Sequence, residues 1–197
     1  RRARTRGATP RDTATSHPCA DRAGSPPAHL GGPYGATRRV LESIMYLDFI
    51  TLAAVREALE SHLISARVQS VVQPSPESVV LEVYSGERQY LYLSSEAQNP
   101  AVALLPQPLR RGVEQPSPLL LLLRKHVRGG RLVGVEQPPF ERILSLTFAQ
   151  GDQRVTLVAE LMGRLSNLVL LDESAMILDA TRRVPASVNR YRKVLPQ

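Results

Sequence analysis

Short segments of alternating apolar and polar residues, separated by turn residues, constrain the fold of this chain most strongly. Val79, Leu81 and Val83 alternate with their neighbours, a period of two that places successive side chains on opposite faces of a strand. Gly86 and Gly151-Asp152 are typical of the turns between such strands. The strands predicted in this way are 66–73, 78–84, 88–94, 131–137, 141–149, 153–161, 167–172 and 176–182.

Two segments show helical spacing instead. Leu52, Val55, Leu59 and Leu63 repeat on one face after Asp48, which is placed as an N-cap.

A second helix is predicted from Ser117-Pro118, a capping residue followed by proline at the first helical position. It ends in Arg124-Lys125-His126, with Gly129-Gly130 beyond. A proline-rich connection precedes it, over about 100–118. The expected fold class is therefore α+β, dominated by strands and carrying two helices.

Charge divides the chain into two parts. Residues 1–44 hold eight arginines and three acidic residues, whereas 17 basic and 15 acidic residues follow, out of 25 and 18 in all. The front segment is rich in Arg, Pro and Gly and has almost no large apolar residues, so we expect it to be disordered. The first methionine is Met45, and we predict that the native protein starts there and that the front segment is upstream or fusion sequence.

Composition excludes several classes of protein. One cysteine, Cys19, rules out a disulfide framework, and the four histidines show no metal-ligand spacing. The longest apolar run, 119–123, is too short to span a bilayer. Glycine-rich phosphate loops and serine nucleophile elbows are absent from the sequence. We therefore expect no cofactor, no metal and no catalytic residue.

Three clusters of cations and polar residues are candidates for contact with an RNA backbone. They are Arg124, Lys125 and Arg128; Arg164 and Asn167; and Arg190 and Arg192. The first cluster also suits a helix C-terminus, where cations complement the helix dipole. For the last one, interleaved with Tyr191, an extended edge segment is the better interpretation.

Glu141-Arg142 is predicted at the start of a strand. An acid beside an arginine can hold the guanidinium, whose planar fork suits a phosphate or a base edge. From spacing alone, a solvated surface pair is the better interpretation of these two residues. For Asp48, an ordinary helix cap is the better interpretation.

The order of several motifs from Leu122 onward resembles one family. They are Leu122-Leu123-Arg124-Lys125-His126, Glu136-Gln137-Pro138, Glu141-Arg142-Ile143, Glu160-Leu161-Met162-Gly163-Arg164, Ser166-Asn167, Leu171-Asp172-Glu173 and 184–192. Together they resemble the amino-terminal (NFACT-N) domain of the ribosome quality-control factors, called RqcH in bacteria and NEMF in eukaryotes and often labelled fibronectin-binding protein A. The resemblance runs from about Met45 to Gln197 and implies that 45–197 is one domain of a longer protein.

The resemblance implies a β-sandwich with flanking helices, similar to the amino-terminal domain of formamidopyrimidine-DNA glycosylases. It also implies tRNA binding by Asp48, Glu141 and Arg142. In this family the acid of the pair is typically aspartate, so Glu141 departs from the pattern by one methylene. Leu165 is a second departure, because histidine is usual there.

The function implied is that of a cytoplasmic, ribosome-associated RNA-binding module. Its partners would be the large ribosomal subunit, peptidyl-tRNA on stalled subunits and alanyl-tRNA for template-free alanine tailing, without a membrane. Two alternatives stay open: a fibronectin-binding surface adhesin, and a catalytically inactive glycosylase-like nucleic-acid-binding domain. A glycosylase of that fold would begin with Pro-Glu after methionine removal, whereas Tyr46-Leu47 follows Met45 here.

Overall fold

The computed structural model describes residues 47–109, 112–185, 187 and 194–196. The front segment, Met45 and the stretch with Arg190 and Arg192 lie outside the described residues. The described part contains two α-helices, α1 (Phe49–Leu63) and α2 (Pro118–His126). Nine strands accompany them: β1 (Arg67–Ser75), β2 (Ser78–Tyr84), β3 (Arg88–Ser94), β4 (Ala101–Leu105), β5 (Arg131–Glu136), β6 (Ile143–Gln150), β7 (Gln153–Glu160), β8 (Asn167–Leu171) and β9 (Ile177–Ala180).

All nine strands belong to one antiparallel sheet, in the order β4-β3-β2-β1-β5-β6-β7-β8-β9. Two meanders, β1–β4 and β5–β9, are joined where β1 pairs with β5 at Arg67 and Arg131. A strand-dominated α+β fold with two helices is confirmed for the described residues.

The sheet curls back on itself. Seven strand positions separate β3 from β9 in the sheet, roughly 33 Å if the sheet were flat. Yet the hydroxyls of Ser95, just after β3, and Thr181, just after β9, lie 3.0 Å apart. Arg182 Nε also donates to Glu77 Oε1 at 2.8 Å, between β9 and the β1–β2 turn. The nine strands thus form one continuous, curled sheet rather than the two separate sheets of the expected β-sandwich, and its two meanders share a core.

That core holds the inward-facing residues of both meanders and the apolar faces of both helices. Phe148 on β6 and Leu81 on β2 are fully buried, as are Leu52 and Leu59 of α1. The helix caps are those expected from the sequence. Asp48 Oδ1 accepts from Thr51 N at 2.7 Å, and Ser117 Oγ accepts from Leu120 N at 3.1 Å.

Two sequence expectations need correction. Strand β4 falls within the segment read as a proline-rich connection, because five residues between Pro100 and Pro106 are too few to show a period. Proline is tolerated on both sides because β4 lies at the edge of the sheet. Glu141 and Arg142 are not in a strand, since β6 begins at Ile143.

Candidate functional site

One open cleft of about 440 Å³ collects residues from four separate segments of the chain. The start of α1, the segment after β3, the loop before β6 and the connection between β7 and β8 each contribute to its wall. Asp48, Glu141 and Arg142, predicted separately from the sequence, all line this cleft. The other lining residues are Leu47, Phe49, Ala97, Gln98, Pro100, Phe140, Met162 and Gly163.

Asp48 combines a structural role with exposure to solvent. Its carboxylate accepts a hydrogen bond from the backbone of Thr51, which caps α1. The same hydrogen bond lowers the pKa of Asp48 below its ordinary value, because it favours the ionised form. The side chain is nevertheless exposed at the cleft wall. The cap therefore keeps a negative charge at a fixed place in the cleft without burying it.

A single glutamine ties two of the four segments together. Gln137 Nε2 donates to Phe49 O at 3.0 Å and to Glu141 O at 2.8 Å. The loop before β6 is further tightened by a turn in which Glu141 N donates to Pro138 O at 3.2 Å. These bonds use backbone carbonyls only, so the carboxylate of Glu141 stays exposed and is not needed to hold the loop.

Arg142 is held through its backbone while its side chain is exposed. Its carbonyl accepts from Leu161 N at 2.8 Å, which extends the β6–β7 ladder by one bond. Within 47–109 and 112–185, the ion pairs found do not include Arg142 or Glu141. From the sequence, the acid is expected to hold the guanidinium, but among the ion pairs found in 47–109 and 112–185 none joins Glu141 and Arg142 directly. The guanidinium is placed at the cleft by a fixed backbone.

Phe140 is a member of the site that sequence reasoning missed. Its side chain is 81% exposed, and its backbone has φ 61°, a left-handed conformation that is a genuine outlier for a bulky residue. The ring meets Phe49 edge-on, with centroids 5.7 Å apart and an interplanar angle of 67°. The only sequence signal was an aromatic residue between a proline pair and a charged pair. An exposed aromatic held in a strained backbone is typical of a functional position.

A short 3₁₀ turn, Gly163–Leu165, connects β7 and β8, and its first residue lines the cleft together with Arg142. Gly163 has φ 59°, a left-handed conformation that glycine adopts without strain. Arg164 is exposed next to it, with its carbonyl accepting from Arg182 at 2.9 Å. Leu165, in the place where the family usually has histidine, is 66% exposed.

Asn167 lies behind this turn and is turned away from solvent. Its side chain is buried, and its amide donates to Arg182 O at 2.8 Å and accepts from Thr181 Oγ1 and Arg182 N. All three bonds fasten β8 to the end of β9. The buried, hydrogen-bonded amide gives Asn167 a structural role, and the residue does not line the cleft.

The three predicted cations of the first cluster lie at the other end of the sheet. Lys125 and Arg128 are exposed near the end of α2, and Arg124 Nε donates to Val71 O at 3.3 Å. Gln150, at the far end of β6 from Arg142, reaches the carbonyls of Lys125 and His126 at 3.2 Å when its amide is oriented to donate. Eight residues of strand separate this end from the cleft, roughly 26 Å.

No group of three or more His, Cys, Asp or Glu side chains within 47–109 and 112–185 is arranged to hold a metal ion. Helices long and apolar enough to cross a membrane are likewise absent from the described part of the chain. The chemistry that the cleft offers is one guanidinium, two exposed carboxylates and two exposed aromatic rings, those of Phe49 and Phe140. That set suits recognition of a charged, partly aromatic ligand.

Fold and cleft together define a strand-dominated α+β domain with an open cleft that is lined by both charged and apolar residues. Residues 48–197 match the family described as NFACT N-terminal and middle domains, so the chain belongs to that family.

Relatives named Rqc2 homolog RqcH are similar to this chain. The one from Streptococcus pneumoniae is 32% identical over 158 residues, which is 77% of this chain and 29% of the relative. The one from Bacillus subtilis is 30% identical over 159 residues, which is 77% of this chain and 28% of the relative. The chain thus spans less than a third of the length of these relatives.

A solved structure shares the fold. The N-terminal domain of the fibronectin-binding protein PavA from Streptococcus pneumoniae has a TM-score of 0.72 and 31% sequence identity, covering 76% of this chain and 58% of that one.

Proposed function

We propose that this chain is a non-catalytic tRNA-binding module of a ribosome quality-control factor, and that the cleft is its tRNA site. The observation that carries the proposal is the convergence of Asp48, Glu141 and Arg142 in one cleft. The family resemblance implies tRNA binding by the same three residues, and more than 90 positions of sequence separate Asp48 from the Glu141-Arg142 pair. Membership of the NFACT family supports the same function.

Within the cleft, Arg142 is the primary contact. A guanidinium can make two parallel hydrogen bonds to one phosphate or base edge, which an ammonium cannot. Phe140 offers a ring face for stacking on an unpaired base, the usual way in which proteins hold single-stranded parts of RNA. Asp48 and Glu141 supply acceptors for base amino groups or ribose hydroxyls, and they repel phosphates from wrong positions.

In the whole protein, the proposed role is to recruit alanyl-tRNA to a stalled large ribosomal subunit that carries peptidyl-tRNA. The ribosome would supply the peptidyl-transfer chemistry for template-free alanine tailing, so the domain itself needs no catalytic residue. The proposed location is the cytoplasm, in association with the ribosome. The proposed likeness to the amino-terminal domain of formamidopyrimidine-DNA glycosylases fits a nucleic-acid-binding use of the sheet.

The test is binding of the 197-residue chain to alanine tRNA, with Arg142→Ala and Arg142→Lys compared with Arg56→Ala. Arg56 is a matched control because it lies on α1 in an exposed pair with Glu60 and does not line the cleft. We expect both Arg142 variants to lose affinity and the control to keep it. Full affinity in Arg142→Ala would show that the cleft is not the tRNA site.

Glu141 has its own test, because one methylene separates it from the aspartate usual in the family. If Glu141 only limits where Arg142 can lie, Glu141→Asp leaves tRNA affinity unchanged or improves it. If its carboxylate contacts tRNA directly, shortening the side chain weakens binding. Alanine-tail formation on stalled chains, measured with the same substitution in the whole protein, reports the consequence for function.

The second candidate, a fibronectin-binding adhesin, is favoured by the name of the similar PavA structure. It makes a different prediction for the same variants. Binding to immobilised fibronectin that is lost in Arg142→Ala, together with tRNA affinity that is unchanged, would favour the adhesin. Recovery of the protein with large ribosomal subunits rather than at the cell surface would favour the tRNA-binding module.

A further inference from the structure

Four arginines and a tyrosine lie in one transverse row across six neighbouring strands. The register pairs Arg88 of β3 with Tyr84 of β2, Tyr84 with Arg67 of β1, and Arg67 with Arg131 of β5. From there Arg131 pairs with Ala149 of β6, and Ala149 with Arg154 of β7. Directly opposed residues in a sheet point to the same face, so all of these side chains share one surface, called here the arginine row.

The row faces solvent. The residues next to it along each strand, such as Val68, Val83 and Phe148, are buried in the core, so the row lies on the outer face. All four arginines are exposed, and Tyr84 is 48% exposed. Ala149 is the one apolar member, and its small side chain leaves the middle of the row open.

This arrangement is unfavourable for the protein alone. Arg67 and Arg131 stand directly opposite each other on adjacent strands, and like charges in that position are destabilising. Among the described residues, Arg88 has a carboxylate near it, Glu82 Oε1 at 3.7 Å, whereas the ion pairs found there do not include Arg67, Arg131 or Arg154. Arg131 donates instead to the carbonyl of Ser65 at 2.7 Å. The positive charges of Arg67, Arg131 and Arg154 are therefore available to pair with the negative charges of a partner.

Neighbouring groups extend the positive surface and keep it accessible. The loop after α2 pairs with the start of β1, since Gly129 N donates to Val68 O at 2.8 Å and Val68 N to Gly130 O at 2.9 Å. Arg128, which precedes Gly129 in this loop, is exposed and therefore lies beside the start of β1. A side chain at position 130 would meet Ala149 O at 2.8 Å, so glycine is what allows this loop to approach β6. The next outward positions include small polar residues, Thr147 and Thr156.

We propose that the arginine row is a second RNA-binding surface, which takes the phosphate backbone of an RNA strand laid across the sheet. Five strand steps separate Arg88 from Arg154, which is roughly 24 Å measured along the curved surface of the sheet. That length spans several successive phosphates. Tyr84, between two arginines, offers a ring for stacking on one base of that strand. The row lies at the end of the sheet opposite the tRNA cleft, so one domain can hold two RNA segments at once. The inference does not depend on the tRNA cleft, because the two surfaces share no residue.

The test uses a 20-nucleotide polyuridine RNA as probe and the 197-residue chain as protein. Binding is measured across salt concentration for Arg67→Ala, Arg154→Ala and the matched control Arg56→Ala. Each phosphate contact that is lost lowers the slope of log affinity against log salt by about 0.7 to 0.9. We therefore expect the slope of each row variant to be smaller by about 0.7 to 0.9. Between 1 M and 0.1 M salt, the affinity of such a variant should then rise roughly five- to eightfold less than that of the parent. The Arg-rich front segment contributes equally to every variant, so only slope differences count.

Two further measurements separate the outcomes. Arg67→Lys is expected to keep the slope, because lysine binds phosphate as a point charge. Arg67→Ala is expected to unfold at the same or a higher temperature, because it removes a like-charge pair. A loss of RNA binding in this variant would then not be a loss of fold.

A polyglutamate peptide of equal length serves as a second anion. Slopes unchanged in both row variants, or an equal loss of polyglutamate binding, would overturn the proposal. The two surfaces are independent if the row variants lower the salt slope of polyuridine binding while Arg142→Ala still weakens tRNA binding. They are also independent if the row variants keep their slope while Arg142→Ala weakens tRNA binding, or if the slope falls and Arg142→Ala has no effect.

Discussion

The two ends of this sheet carry the two proposed RNA-binding surfaces, and these are built in opposite ways. At the cleft, loops and a helix cap from four chain segments bring together one arginine, two carboxylates and two exposed aromatic rings. At the arginine row, regular strand register alone aligns four cations. Mixed charges at fixed positions suit selection of one ligand geometry, whereas a line of like charges suits any phosphate backbone. Irregular backbone therefore builds the proposed selective site, and regular backbone builds the proposed general one.

The largest effect should come from the core that both regions share. Phe148 is fully buried on β6, between Arg142 at one end of the strand and Ala149 of the row at the other. Phe148→Ala should lower the free energy of unfolding by about 3–5 kcal/mol. Binding at both sites should fall together as the folded fraction drops. Thermal unfolding monitored beside both binding assays checks this, and one site surviving alone would show that the ends fold independently.

Substitution of Arg142 should weaken binding at the cleft and leave binding at the arginine row unchanged. Hydrogen bonds to a charged group contribute about 1.5–3 kcal/mol, so Arg142→Ala should weaken tRNA binding by roughly 10- to 100-fold. Arg142→Lys should be nearly as harmful, because the planar fork is lost. In the row, by contrast, the Arg67→Lys change should be tolerated. Equal tolerance of lysine at both places would mean that the cleft also reads charge alone.

Reversing the charge at the end of α2 should act on the row side. Arg124→Glu with Lys125→Glu should weaken RNA binding and make its salt dependence shallower. Arg124 also bonds to Val71 O, so a modest drop in unfolding temperature is expected as well. A stability loss with an unchanged salt slope would mean that these cations only complement the helix dipole. Lys125→Glu alone is the cleaner control.

Phe140→Gly separates binding from stability within the cleft. Glycine accepts φ 61° without strain, so the variant should be as stable as the parent or more stable. Base stacking on an aromatic side chain is worth about 1–3 kcal/mol, so tRNA affinity should fall although stability does not. Chemical unfolding and tRNA titration on the same preparation check this. Loss of stability without loss of affinity would make Phe140 a packing residue of α1 through its contact with Phe49.

The smallest effect is expected at Asp48. Its folded pKa is depressed, so the charged cap contributes stability above the unfolded pKa, about 3.9, and loses that contribution as pH falls through the lower folded pKa. Asp48→Asn should keep most of the capping and lose the acid dependence, whereas Asp48→Ala should lower the unfolding temperature by roughly 2–4 °C. Unfolding temperatures measured from pH 2 to pH 7 test both statements. An identical pH profile in Asp48→Asn would assign the acid dependence to another group.

Much of the fold was predictable from sequence because its signals are local. Alternation in 78–84 and 153–160 marks strands, and the capping residues Asp48 and Ser117 mark helix starts. Strand β4 was missed because a five-residue edge strand between prolines is too short to show a period. The bounds of β6 were wrong at one end because Glu141 and Arg142 look like strand residues but follow a turn closed by Pro138.

The site was only half predictable. Asp48, Glu141 and Arg142 were found through family resemblance, yet their meeting in one cleft depends on Gln137 joining two distant segments. Asn167 looked like a surface polar residue, but its three hydrogen bonds to the end of β9 bury it. Phe140 had no periodic signal, because its importance lies in exposure and a backbone angle.

By itself, then, the sequence determined which segments become strands and helices, where the helices begin, and to which family the chain belongs. Those properties follow from local periodicity, capping and motif order, which need no knowledge of distant neighbours. Only the tertiary structure decided that Arg67 stands opposite Arg131 and that the start of α1 meets the loop before β6. Register and curl depend on how two meanders bury one shared core, and that is a property of contacts between residues far apart in the chain.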